Sequence, residues 1–342
     1  MTTVMITGVS RDLAARFARS LAADTEVTVI GVDVVPPRHD LGRAAFIRAD
    51  IRAPIIGKVI DSHDVEVVVH MAVLAAPGRT GGRSSMKEIN VIGTMQLLAA
   101  CQKAASVRKF VVQGSVSVYG SSPRDPARFT EEMGPRASLR SGFGKDSAEI
   151  ESYVRGYARR LDDGCVTTLR MAPLMGAGVD STITAYLGLP VVPKVAGFDA
   201  RLQFLHPADA VDALLTVTRD DLPGTFNVAA DDVVLLSQAL RTLGRPWVEV
   251  PRPAGPLLAG LARRAGFAEI SDEQLDVLTY GRAMDSSRFT AATDWRPRYG
   301  SAEALAEWAA PTGPGLLGPD RADALVDAAA RLLTGGRAGD GV

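Results

Sequence analysis

The sequence predicts an α/β fold, a doubly wound parallel sheet carrying a smaller mixed α/β C-terminal lobe. Three observations predict it. Between residues 1 and 172, short apolar runs rich in β-branched residues alternate strictly with helix-period stretches. Those runs are apolar throughout, as in strands covered by helices on both faces. After residue 172 the alternation stops and turn-rich pieces take over. Right-handed crossovers then wind the sheet and place its site at the carboxyl ends of the strands. The expected division is 1–172 for the sheet domain and 173–310 for the second lobe, with the chain crossing between the two. Residues 311–342 are left as linker, C-terminal helix and tail.

The elements follow in order. The first strand is 4–7, and a helix-period stretch covers 12–23. Val27-Thr28-Val29-Ile30-Gly31-Val32 is the second strand and ends at Asp33. A strand at 44–48, a helix at 54–62 and a buried Val-rich strand at 65–70 come next. A long helix covers 84–104, a strand 109–113, a helix 145–161 and a sixth strand 166–170. In the second lobe, 190–193 is short and turn-rich. Pro207 opens a helix over 207–218 with Asp209 at its third position, and a strand lies at 225–228. Helices are expected at 237–243, 256–265 and 272–280, with Ser237 and Asp272 as caps. A Pro/Gly linker at 311–319, an amphipathic helix at 321–333 and a frayed tail at 335–342 complete the chain.

Composition bounds the function. The 342 residues are 46% hydrophobic and 23% charged, ordinary for a globular chain of one large or two small domains. The net charge of −1 supplies no basic field for nucleic acid or an anionic membrane. No apolar run approaches the ~18 residues of a membrane span. The N-terminus lacks a charged, cleavable leader, so a soluble, cytoplasmic protein is expected. Cys101 and Cys165 lie far apart with no metal-ligand spacing and read as reduced, buried small hydrophobes.

The run Thr7-Gly8-Val9-Ser10-Arg11-Asp12-Leu13-Ala14 follows the first strand and opens the first helix. There a dinucleotide pyrophosphate meets a helix N-terminus in Rossmann-type folds. Of the three usual glycines only Gly8 is present. Arg11 and Ala14 take the later two places. Asp33, 25 residues after Gly8, is placed to accept the ribose hydroxyls of NAD, and Asp50-Ile51 ends the third strand near an adenine. Asp33 would repel the 2′-phosphate of NADP, whereas Arg11 could pair with it, so the cofactor is read as NADPH or NADH.

Further pieces complete a pattern: His70-Met71-Ala72, Asn90-Val91-Ile92-Gly93-Thr94, Ser115 to Gly120, Lys145 with Glu149, Leu169-Arg170, His206 with Asp209, Phe226-Asn227, and Asp285 to Arg288 followed by Trp295 and Pro297. In this order and spacing the chain resembles the extended short-chain dehydrogenase/reductase family, which includes NAD-dependent epimerases, dehydratases and many ketoreductases. The likeness covers about residues 1–310. It implies a cofactor site of Gly8, Ser10, Arg11, Asp12, Leu13, Asp33, Asp50, Ile51, Met71, Ala72, Asn90, Lys145 and Pro173.

That family works with a Ser, a Tyr and a Lys, the last two spaced Tyr-x-x-x-Lys. The tyrosine moves the substrate's proton and the lysine lowers its pKa. Ser115 and Lys145 match, but the residue four before Lys145 is Ser141, so the tyrosine is absent. Tyr153 lies eight residues beyond Lys145, about 12 Å along a helix. Tyr119 is usually a packing residue in this family. The expected catalytic set is Ser115, Lys145 and Ser141.

Substrate positions depart too. Pro173 stands where sugar-nucleotide members carry Asn, and Leu202 where they carry an Arg. The candidate lining Val73, Leu74, Ala75, Met171, Pro173, Leu174 and Met175 is apolar, read either as a pocket for a bulky molecule or as plain core. The substrate set is Val73, Leu74, Ser115, Met175 and His206, the last also readable as a core histidine. The expectation is an atypical NAD(P)H-dependent ketoreductase acting on a bulky aromatic, polyketide-like ketone, with the proton supplied by a substrate phenol. It loosely resembles the tyrosine-lacking ketoreductases of the angucyclinone group. The alternatives are a sugar-nucleotide epimerase or dehydratase with bound NAD, and a non-catalytic dinucleotide sensor. A homodimer through the helices at 84–104 and 145–161 fits the family habit.

Overall fold

Alternation of side chains along the first strand, β1 (Thr2–Thr7), shows how the central sheet is buried. Val4 and Ile6 enter one apolar core and Met5 the other. The next strands are β2 (Val27–Asp33), β3 (Ala45–Arg48), β4 (Val67–His70), β5 (Lys109–Ser115) and β6 (Cys165–Met171). Two short strands, β7 (Val192–Val195) and β8 (Arg201–Leu202), precede β9 (Gly224–Val228). The sheet order is β3-β2-β1-β4-β5-β6-β9, with every pairing parallel. The order reverses between β1 and β4, which opens a crevice at their carboxyl ends. These features come from a computed structural model that describes residues 1–75, 82–136, 139, 142–251 and 272–312.

The helices are α1 (Asp12–Leu21), α2 (Ile55–Ser62), α3 (Gly82–Lys87), α4 (Gly93–Lys103), α5 (Gly142–Ala158), α6 (Thr182–Leu187) and α7 (Pro207–Arg219). Leu13 and Phe17 of α1 and Leu214 and Val217 of α7 cover one face. Ile56 of α2, Leu97 of α4, and Ile150 and Val154 of α5 cover the other. The expected boundary at 172 is therefore crossed, because α7 and β9 pack into the sheet domain. The second lobe has its own core, including Met175, Tyr186, Phe204 and Leu240. There β10 (Val234–Leu235) pairs with β8 and β11 (Trp247–Val250) with β7, and α8 (Leu236–Thr242) follows β10.

Several boundaries differ from expectation. The helix expected over 84–104 is α3, a π-helical turn (Glu88–Ile92) and α4. The helix expected from 145 begins at Gly142. Ser237 is not a cap: it lies inside α8, where its amide and hydroxyl both donate to Asp199. The expected segments 256–265, 321–333 and 335–342 lie outside the described residues, as does the linker beyond Thr312. Cys101 and Cys165 are free and buried. Among the described residues no helix is long and apolar enough to cross a membrane.

Candidate active site

The site starts at the turn from β1 into α1. Gly8 has φ +79, and a Cβ there would lie 2.7 Å from the Ala72 Cα. Only glycine lets β1 approach the β4 loop so closely. Gly8 N donates to Val32 O at 2.9 Å. Arg11 is the N-cap of α1, and its side chain makes no cap bond. The first-turn amides at Asp12 and Leu13 are thus free of that capping, and a helix N-terminus attracts anions. The Asp12 carboxylate faces outward to Arg16 at 2.9 Å, and the Leu13 side chain is core.

Asp33 closes β2 and shapes the same turn. Its Oδ2 accepts from Ser10 N at 3.1 Å and Ser10 Oγ at 2.6 Å, and its Oδ1 from Val34 N at 2.7 Å. The sequence suggested that Arg11 could serve a 2′-phosphate beside Asp33. Instead its guanidinium turns toward the end of β4, donating to Val73 O and, at 3.5 Å, to Met71 O. Burial pulls the Arg11 pKa down against the attraction of Asp33. Asp50 forms a two-pronged pair with Arg52, Nη2 to Oδ2 at 2.7 Å, which holds its pKa down. Ile51 packs beneath Gly93.

The floor is the loop after β4. Met71 N donates to Thr7 O at 3.2 Å. Asn90 is buried with both ends of its amide on Leu74, accepting from its N at 2.7 Å and donating to its O at 2.9 Å. Asn90 therefore holds the loop rather than offering a free group. Val73 and Leu74 remain half-buried. His70 bridges Thr7 and Thr94 at 2.7 and 2.8 Å. Full burial, helped by Arg11, lowers its pKa to about 3.

At the β5 end, Ser115 Oγ accepts from Ser117 N at 3.2 Å and helps line a small cavity with Val73, Gly114, Phe143, Ser147 and Glu151. Lys145 does not join it. Its side chain is 41% exposed and lies 4.0 Å from Glu149. Ser141 lies outside the described residues. Tyr119 is a packing group: it stacks on Phe129, donates to Asn227 Oδ1 at 2.8 Å and accepts from Arg170 Nη1 at 2.7 Å. Arg170 also grips Glu151 with two bonds, at 2.8 and 2.7 Å.

Two expected substrate residues make their contacts within the protein. Met175 is fully buried in the second-lobe core. His206 is the N-cap of α7: its Nδ1 accepts from Ala208 N at 3.2 Å and its Nε2 lies 2.8 Å from Glu307. Both ring nitrogens are therefore engaged within the protein. Met171 and Leu174 go with one face of the sheet and Val73 with the other, so with Met175 the expected apolar lining is divided among three cores. Pro173 is exposed.

The structure adds groups that sequence reasoning missed. Glu273, on the helix Asp272–Tyr280, accepts from Gly144 N at 3.1 Å through Oε2. Arg83 pairs with the buried Asp146 and donates to Gly142 O at 2.7 Å. Arg282 reaches Ser117 Oγ at 3.4 Å, its Nε is buried without a partner among the described residues, and burial pushes its pKa down to about 10. Glu273 lies 129 residues from Gly144, and no motif marks such a contact.

Parallel strands reversing order over an open helix N-terminus, with a carboxylate at the end of β2, define a Rossmann-type α/β fold. The model of the NAD dependent epimerase/dehydratase family matches residues 4–229, and the chain belongs to that family. An uncharacterized protein of Mycobacterium tuberculosis is 44% identical over 310 residues, covering 89% of this chain and 82% of its own. The UDP-glucose 4-epimerase of Thermus thermophilus, solved with NAD, superposes with TM-score 0.67 at 20% identity, over 90% of this chain and 98% of its own. The UDP-glucuronic acid 4-epimerase of Bacillus cereus, solved with UDP-glucuronic acid and NAD, gives 0.67 at 16% identity, over 95% and 100%. At such identities the likeness is one of fold.

Proposed function

We propose that the chain is a NAD-dependent oxidoreductase of the sugar-nucleotide epimerase/dehydratase type. One observation carries the reading: the dinucleotide half of the site is built. Gly8 sits against Ala72, α1 opens without a side-chain cap, and Asp33 ends β2. These residues fit a dinucleotide. The first-turn amides of α1 would face its pyrophosphate, and Asp33 the adenosine ribose. Bound NAD would supply a hydride acceptor at the β5 end. Ser115 lies at that end and would orient a substrate hydroxyl.

NAD is favoured over NADP because Asp33 occupies the ribose end while Arg11 points toward β4. The sugar-nucleotide class is supported by the family and by the epimerases of the same fold. Reduction of a bulky aromatic ketone is the weaker reading, since its apolar lining is split among three cores. A homodimer through α4 and α5 is also proposed, with Ile92 and Tyr153 exposed on that side.

The test is to titrate the protein with NAD, NADH and NADPH, then incubate it with NAD and UDP-glucose or UDP-glucuronic acid and analyse products by NMR. Conversion to an epimer or keto sugar is expected. Turnover of hydroxylated aryl ketones alone would favour the ketoreductase, and cofactor binding without any turnover would favour a sensor.

A further inference from the structure

Sequence places Ser141 where the resembled family holds its proton-transferring tyrosine. A serine hydroxyl ionises far too weakly near neutral pH to serve well as that acid or base. We infer that Glu273 takes and returns the substrate's hydroxyl proton, an assignment that rests on the oxidoreductase reading above. The carboxylate reaches across from the second-lobe helix Asp272–Tyr280 to the start of α5. Its Oε2 accepts from Gly144 N at 3.1 Å. A Cβ on Gly142 would lie 2.5 Å from Oε2, and one on Gly144 would lie 3.0 Å from Oε1. Gly142 also has φ +88. The missing side chains of both glycines thus leave the room that the carboxylate fills. Residue 141 immediately precedes this pair and Lys145 immediately follows it.

Arg282 and Arg83 both attract Glu273 electrostatically. Arg282 also reaches Ser117 Oγ, in the turn that follows Ser115, and its Nε is buried without a partner among the described residues. In the forward step the substrate carbinol loses a C–H bond, whose electron pair passes to the nicotinamide as hydride. Its O–H bond also breaks, and the proton goes to the Glu273 carboxylate. In the reverse step the protonated Glu273 returns that proton as hydride returns to carbon.

The competing role is a helix cap that ties the lobes together. Glu273→Gln separates the two, because an amide oxygen still accepts from Gly144 N but cannot take the proton. With NAD and either UDP-glucose or UDP-glucuronic acid as the probe, kcat should fall about 10²–10⁴-fold in Glu273→Gln while Tm stays at the wild-type value. Unchanged kcat in an active background overturns the assignment and leaves the oxidoreductase reading intact. A Tm that falls in Glu273→Gln as far as in Glu273→Ala also overturns it, because the loss of kcat then follows the loss of the Gly144 contact. A wild type inert toward both probes removes the reading and this assignment together.

Discussion

Arg11 is where one side chain decides most. In sequence it stands at a glycine's place beside a ribose-binding Asp, which leaves NAD and NADP equally open. In the structure its guanidinium bonds carbonyls at the end of β4, and Asp33 spends both oxygens on Ser10, Val34 and Val35. A 2′-phosphate would meet that carboxylate while the Arg11 guanidinium stays bonded to the carbonyls of Met71 and Val73. NADPH should therefore bind at least tenfold more weakly than NADH, about 1.4 kcal/mol. Arg11→Ala should change both affinities alike. Calorimetric titration checks this, and a loss confined to NADPH would restore the phosphate role. Asn90 and His206 follow the same logic: each polar side chain is legible as important, but a deciding partner, Leu74 for one and Glu307 for the other, lies 16 and 101 residues away.

At the scale of elements, the contact between α5 and β6 rests on the buried Arg170–Glu151 pair. Both side chains are 3% exposed, and Tyr119 and Asn227 extend the bonding to β9. Removing Arg170 leaves the buried Glu151, among the described residues, with only the exposed Arg155, 3.4 Å away. Arg170→Ala should cost roughly 3–5 kcal/mol of unfolding free energy. Replacing both, as Arg170→Met with Glu151→Leu, should recover much of it, because two desolvated charges then give way to apolar packing. Urea unfolding of the three proteins measures the difference. A single substitution as stable as wild type would show the pair to be dispensable. The strands around it were legible because their apolar runs are continuous. The start of α5 at Gly142 was not, since Ser-Gly-Phe-Gly carries weak helix propensity and the first turn is held by Glu273 and Arg83 instead.

At the scale of the molecule, the second lobe begins in sequence before the sheet is finished. The chain leaves β6, builds part of the second lobe through α6, β7 and β8, and returns as α7 and β9 to complete the sheet. The proposed dimer adds one more level. Tyr153→Asp on α5 and Ile92→Asp before α4 should shift the protein toward monomer in sedimentation experiments at micromolar concentration, and a monomeric wild type would dismiss that face. By itself the sequence determined the parallel sheet, its order of elements and the phosphate turn, because side-chain periodicity and a glycine at a tight turn act within a few residues. Only the tertiary structure decided where Arg11 points, that Met175 and His206 serve the fold, and that Glu273 meets the start of α5. Those outcomes depend on contacts between segments up to 129 residues apart, where packing and charge pairing choose the partner and local pattern carries no record of it.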